Sequence, residues 1–473
     1  AAMGELAKVR LLNPVEQQQR IDALERQVGE LQAVIAALRA ELEQLTRRGK
    51  RQAAPFSKDT RVADPKRPGR KPGQGPFHFR AAPLAADLSE PPITVPVTER
   101  ACPVCGGALV EERVDLASVT DLSEQPQAQV RQYRVSVCRC QTCGKAVRGQ
   151  HPALAPDQYG ATADRVGERL LAAGHVLHHA AGVPLRKVPG VLQLLTGAAV
   201  TEGALVQDAQ RRVAGPVGEA YTALRAAVAT AARVHTDDTG WRVGGSAAFL
   251  MAFESDSETV YQIRARHRNE EVREIIGDAF AGVLITDRGK SYDAEALAAV
   301  AQQKCLAHLQ RSISLVLEMK WARGRSLGLS LRRLLREAQT LWQTQQLAPM
   351  AEDYAAQVAA LEARLTALLA PRTLPDPDNQ RLLDQLRWHH ARGSVLRLLS
   401  DPRIEPTNNR AERALRPAVI ARKVSQCSKN ERGAETFAAF ASVTRTIRQR
   451  GGALLDDLLT TFRTGRVPAP LPP

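Results

Sequence analysis

The sequence has no apolar run approaching the ~18 residues that span a bilayer. Its first residues also lack the basic patch, apolar stretch and small-residue cleavage site of a secretory leader. No membrane partner is expected, and a cytoplasmic location is. Cysteine is scarce, seven in 473 residues. The number is odd and four of the seven form two Cys-x-x-Cys pairs, which suits a metal in a reducing compartment better than a disulfide framework. Acids are in deficit, 50 Asp and Glu against 65 Lys and Arg, for a formal net charge of +15. That balance points to a polyanionic partner, nucleic acid ahead of an acidic membrane. The chain exceeds what one hydrophobic core usually organises, so several domains are expected.

Between Ile21 and Leu45 the residues Ile21, Leu24, Val28, Leu31, Ile35, Leu38, Leu42 and Leu45 alternate steps of three and four. Ile21, Val28, Ile35 and Leu42 take one seam position and leucine the other, an arrangement that favours a parallel two-stranded coiled coil. Residues 1–47 are therefore expected to be a dimerisation helix, giving a homodimer or a higher homo-oligomer. In the next stretch Arg47, Arg48, Lys50, Arg51, Lys58, Arg61, Lys66, Arg67, Arg70, Lys71 and Arg80 stand against Asp59 and Asp64 alone, interleaved with Pro and Gly. It cannot bury a core and reads as a linker over 48–100 able to lie along phosphates, with Arg70 and Lys71 among its DNA contacts.

Residues 101–150 hold Cys102-Pro-Val-Cys105-Gly106-Gly107 and Cys138-Arg-Cys140-Gln-Thr-Cys143-Gly144. Two residues between thiolates let both reach one tetrahedral ion, and the glycines free backbone amides to approach sulfur. Cys102, Cys105, Cys140 and Cys143 are read as ligands of a structural Zn2+ in a zinc-ribbon-like module, with Cys138 competing with Cys140. Four thiolates leave no open position for water, so this site would hold a fold and do no chemistry. Residues 151–232 read as helical. Gly197 and Thr201 punctuate them between 185–195 and 202–213, as in a DNA-binding helix-turn-helix or an ordinary helix connection.

From Arg233 the pattern turns strand-like over 233–237, 247–254 and 259–266. A helix over 269–279 capped by Asn269 should follow, then an apolar strand ending on Asp287, a helix over 294–301 and a short strand over 304–309. The order β-β-β-α-β-α-β is that of an RNase H-like α/β core, in which the first and fourth strands are neighbours and would bring Asp237 and Asp287 together. The third acid is sought in Glu405-Pro-Thr-Asn408-Asn409-Arg410-Ala-Glu412-Arg413-Ala-Leu415-Arg416-Pro417. There Asn408 or Asn409 can cap a helix, Glu412 lies one turn in, and Arg413 and Arg416 are placed to meet phosphate. Three carboxylates around two Mg2+ ions (or Mn2+) about 3.5–4 Å apart would activate an attacking water or hydroxyl and stabilise the entering and leaving oxygens of an in-line displacement. The core is thus expected over 233–311 and 401–450, split by an all-α insertion over 312–400, with a tail over 451–473. The whole is a multidomain α+β chain.

Several lesser residues have bland readings. Asp238 is a weaker alternative ligand to Asp237. His308 reads as a structural histidine near the site before a metal or phosphate contact, and Trp241 as a core aromatic before a wall of the DNA path. Cys305 and Cys427 read as buried thiols. The pairs His178-His179 and His389-His390 are assigned no metal.

His235-Thr-Asp237-Asp238-Thr239-Gly240-Trp241-Arg242-Val243, Thr286-Asp287 with Tyr292, Cys305-Leu-Ala-His308, and Asn408-Asn409-Arg-Ala-Glu412-Arg413-Ala-Leu-Arg416-Pro417 with Arg422-Lys423 together resemble the insertion sequence 66 family of transposases. The resemblance extends to the coil, the basic arm and the four-cysteine module. It departs where the family more often has Asp-Glu-Thr in place of Asp237-Asp238-Thr239, and Arg-Lys-Asn in place of Arg422-Lys423-Val424. It implies a DDE transposase that cuts and joins double-stranded DNA at transposon ends and into target DNA using Mg2+. Its catalytic acids would fall on Asp237, Asp287 and Glu412, its DNA contacts would include Arg413, Arg416, Arg422 and Lys423, and it would act with possible accessory proteins of the same element. The competing readings are a catalytically silent DNA-binding protein and a nuclease without strand transfer. Finding all three acids in their expected contexts favours an enzyme.

Overall fold

The computed structural model describes residues 13–49, 107, 128–130, 137–148, 166–347, 353–425 and 427–470. The chain divides into two units, residues 1–121 and 122–473. In the first, α1 (Pro14–Gly49) is one helix of 36 residues, opened by a proline whose fixed φ and missing N–H suit a first turn. Ile21, Leu24, Val28, Leu31, Ile35 and Leu38 lie along it 46–60% exposed. The side chains of Leu42 and Leu45, which complete the expected seam, lie outside the described residues.

The second unit includes a small antiparallel hairpin of β1 (Val137–Arg139) and β2 (Ala146–Arg148), in register Cys138↔Val147. Helices follow: α2 (Glu168–His175) running into a π-helical turn (Val176–Ala180), α3 (Val188–Thr196), α4 (Glu202–Val213) and α5 (Pro216–Ala229). Gly197, at φ 69°, closes α3 in the left-handed conformation. Thr201 Oγ1 accepts the N–H of Ala204 to open α4. Leu171, Val188, Leu192 and Leu205 form a small core of their own.

At the centre is a five-stranded sheet in the order β5-β4-β3-β6-β7, from β3 (Arg233–Val243), β4 (Ser246–Glu254), β5 (Thr259–Arg264), β6 (Val283–Thr286) and β7 (Ala301–Lys304). β3, β4 and β5 are antiparallel neighbours, while β6 lies parallel to β3 on its other side and β7 parallel to β6. β3 runs well past the expected Asp237. It ends in a two-residue turn, Gly244 and Gly245 at φ 56° and 86°, which only glycine enters freely and which matches the twist of the hairpin.

The sheet is covered on both faces. Val234, Met251, Phe253, Val260 and Leu284 pack with α5, α6 (Asn269–Ile276), α12 (Glu431–Gln449) and α13 (Leu454–Thr464). Trp241, Leu250, Ala252 and Ile263 pack with Ala414, Leu415 and Ala418 of α11 (Asn409–Ser425) and with small residues of α12. Helix α12 also closes the edge of β5. Ser442 Oγ accepts the N–H of Tyr261 at 2.8 Å, and Thr446 Oγ1 that of Thr259 at 3.0 Å. Between β7 and α11 the described chain is helical: α7 (Leu306–Met319), α8 (Ser326–Leu347), α9 (Tyr354–Leu368) and α10 (Pro377–Ala391) gather around Leu309, Ile313, Leu331, Leu334, Leu365 and Leu383.

Three expectations need correction. In place of the helix over 294–301 there is one 3-10 turn, Glu295–Leu297, after another at Lys290–Tyr292, and Ala301 already begins β7; over so short a stretch tertiary context overrides alanine's helix propensity. The strand over 304–309 ends at Lys304. From Leu306 the apolar stripe Leu306, Leu309, Ile313, Val316, Leu317 has helical spacing and belongs to α7. Asn269 begins α6 without capping it; the cap position is Arg268, whose N–H donates to Glu271 Oε2 at 2.8 Å.

Candidate active site

The ladder between β3 and β6 runs Arg233↔Val283, Val234↔Leu284, His235↔Ile285. Two residues on from the last of these pairs come Asp237, within β3, and Asp287, just past the end of β6, so the two acids lie at the same end of the sheet. Alternation along β3 sends Asp237 to the face of Trp241, which α11 covers, and Asp238 to the opposite face. On that far face Asp238 Oδ1 lies 2.9 Å from His267 Nδ1, whose ring meets Tyr292 at 5.4 Å.

Asp237 Oδ1 accepts the N–H of Asp238 at 2.9 Å, and Asp287 Oδ1 that of Gly289 at 2.7 Å. Among the described residues no hydrogen bond takes the second oxygen of either carboxylate. A Cβ at position 289 would come 3.0 Å from Asp287 Oδ1, so glycine lets the chain turn tightly beneath that carboxylate. Glu412 stands in the first turn of α11, where the positive end of the helix favours a negative charge. His308 Nε2 lies 3.8 Å from its Oε1.

The peptide groups beside these acids are tied together. Asn408, fully buried, donates its N–H to Cys305 Sγ at 3.2 Å and its side-chain N–H to Thr236 O at 2.7 Å. Cys305 donates its N–H to Thr286 O and Leu306 to Pro406 O, both at 2.8 Å. Asn408 therefore occupies the cap position of α11 with its amide turned to β3 and not to the free N–H groups of the helix.

The electrostatics follow from this crowding. Burial, and then the charges of Asp287, Asp238 and Glu412, push the Asp237 carboxyl up to about 7, against the lowering effect of the Asp238 N–H. Burial raises Tyr292 well above the ordinary phenol range, and the neighbouring acids add to it. Burial and the Arg410 charge lower His235 to about 3, leaving a neutral imidazole under the site. Among the described residues no three His, Cys, Asp or Glu side chains are drawn together as a closed metal-binding set; the acids share one field at the mouth of the sheet.

A family model described as the IS66 family of transposases matches residues 164–436, more than half of the chain. The chain belongs to the IS66 transposase family. No curated protein matches it. The family match takes in Asp237, Asp287 and Glu412 and leaves out α1, the basic arm and both cysteine pairs.

Of the residues expected to touch DNA in this IS66-family chain, Arg413, Arg416 and Lys423 are exposed on α11. Arg422 folds back onto β3, donating to Thr239 Oγ1 at 3.2 Å and to the carbonyl of Gly240. Arg70, Lys71, Cys102 and Cys105 lie outside the described residues. Cys140 and Cys143 sit at the turn between β1 and β2, and the backbone N–H groups of Cys143 and Thr142 lower the Cys140 thiol to about 7. Trp241 is buried with its indole N–H on Ser428 Oγ. Cys305 is buried as expected, but Cys427 is half-buried with φ at 70°. Sequence reasoning missed Lys304 and Arg410. Lys304, fully buried, reaches Asp293 at 2.8 Å and Thr286 Oγ1 at 3.2 Å; nothing in Ala-Gln-Gln-Lys marks a strand whose last residue points inward. Arg410 binds Glu254, Asp256 and Ser255 O, and its place between Asn409 and Glu412 was the available signal.

Proposed function

We propose that this chain is a DDE transposase with an RNase H-like core, acting on double-stranded DNA at transposon ends with Asp237, Asp287 and Glu412 as its catalytic acids. The observation that carries the reading is Asp237. It lies on β3 beside the end of β6, where Asp287 follows the strand, and is held near a pKa of 7 by burial and by the charges of Asp287, Asp238 and Glu412. Such a concentration of negative charge fits a divalent cation, and each aspartate keeps one oxygen without a hydrogen bond. Two Mg2+ or Mn2+ ions held there would supply charge neutralisation at the entering and leaving oxygens and a more acidic attacking hydroxyl. The protein's own residues supply the rest: Asp287 is oriented by Gly289 N–H, Glu412 is presented by the first turn of α11, and Arg413 and Arg416 stand where phosphates approach.

The flanking parts fit the same reading. The exposed stripe of α1 suits pairing with a second copy of the chain, as bridging two DNA ends requires. The lowered Cys140 thiol, with Cys143 at the same turn, suits a thiolate ligand of a structural Zn2+. One observation favours the silent DNA-binding reading: the three acids are not gathered as a closed ligand set. A cleavage and joining assay separates the two, using duplex DNA that carries the ends flanking the gene, with Mg2+ or Mn2+. The wild-type protein is expected to nick and join, and Asp237→Asn, Asp287→Asn and Glu412→Gln to lose at least about a thousandfold in rate. Equal activity of wild type and variants would remove the triad. Cleavage without joining would leave a nuclease.

A further inference from the structure

The residue before each aspartate, and the residue one turn before the glutamate, meet at a single point. Thr236 precedes Asp237, Thr286 precedes Asp287, and Asn408 accepts the N–H of Glu412 at 3.2 Å. Cys305 takes its place among them: its N–H goes to Thr286 O, and its sulfur receives the N–H of Asn408, whose side chain in turn holds Thr236 O. Two strands and one helix are fixed to each other by four hydrogen bonds within a buried space, if the bond from Leu306 to Pro406 is included. His308 lies three residues after Cys305, on the same side of the first turn of α7. Its Nε2 is 3.8 Å from Glu412 Oε1, and its buried Nδ1 has no hydrogen-bond partner of regular geometry.

Such a tether answers a physical need. Three carboxylates with a common field repel, and α11 is the one carrier of an acid that is not hydrogen-bonded into the sheet as a strand. Without a restraint at its N-terminus, the helix would relax away from the strand ends until a cation drew it back. We propose that Cys305, Asn408 and His308 are positioning residues of the site: the Cys305–Asn408 contact sets how far α11 stands from β3 and β6, and His308 aims the carboxylate of Glu412. This rests on the metal-site reading above.

The test is a calorimetric titration of the full chain with Mn2+ alone, comparing wild type with His308→Leu, His308→Gln, Cys305→Ala, Cys305→Ser and Asp237→Asn. Residues that orient the ligands of a metal cost about 10–100-fold in affinity when lost. His308→Leu and Cys305→Ala are expected to weaken Mn2+ binding by about tenfold or more. His308→Gln, which still offers an N–H, and Cys305→Ser, which still offers an acceptor, should regain most of the loss. A merely packing role would show no such rescue. Binding by His308→Leu and Cys305→Ala as tight as wild type overturns the proposal, as does a loss that Gln and Ser do not repair. If Cys305→Ala does not fold, the part-exposed His308 pair decides alone. Should wild type and Asp237→Asn titrate alike, the metal-site reading itself has failed and the positioning role falls with it.

Discussion

Asp237 holds its proton near neutral pH because burial and the neighbouring carboxylates oppose its ionisation. The pKa is raised on folding, so the stabilisation from the neutral form is complete below the ordinary range near 3.8 and is lost as pH rises through about 7. Asp237→Asn should therefore be more stable than wild type at pH 8 in EDTA, by about 1–2 kcal/mol once solvent screening is allowed for. The gap should close by pH 4. Denaturant midpoints at the two pH values measure this, and a constant gap would mean that the carboxyl is not held neutral. The acids themselves were legible in the sequence, since a strand ending on aspartate and an Asn-Asn-Arg-Ala-Glu string each mark a place. What surrounds them was not. Asn408 looked like a cap and Cys305 like an inert thiol, because a lone sequence does not say which distant backbone carbonyl a buried donor will meet. Lys304, Asp293 and Thr286 come together only once β7 lies beside β6.

The long periodic elements were readable. The strands β3, β4 and β5 showed as strand-like stretches, and the eight-residue α6 showed its acidic first turn. The segment between β6 and β7 was not, because alanine-rich sequence is helical by propensity and over so short a stretch tertiary context overrides propensity. The seam of α1 was plain in the sequence and stands exposed in the helix, with Leu31 at 60% and Ile35 at 46%. Burying what each such side chain still exposes would gain roughly 1 kcal/mol, which would favour association of two copies. Changing Leu31 and Ile35 together to Lys should drop the mass measured by light scattering from that of an oligomer to that of one chain. An unchanged mass would place self-association elsewhere.

Over the whole molecule the formal charge of +15 fits a family that acts on DNA, and affinity for DNA should fall steeply with salt. The slope of log affinity against log salt changes by about 0.9 for each phosphate contact. Replacing Arg413 and Arg416 by Ala should flatten it by nearly two, measured by fluorescence anisotropy in EDTA; an unaltered slope would exclude both from the phosphate path. Helix α12 carries a different lesson. All three acids lie upstream of it, yet its serine and threonine hydroxyls serve the outer edge of β5 where another strand would otherwise pair. A polypeptide ending soon after Glu412 would contain Asp237, Asp287 and Glu412 but lose most of α11 and all of α12, leaving the edge of β5 bare. Such a fragment is expected to aggregate or be degraded, so a chain cut short after its acids would not persist as a folded protein.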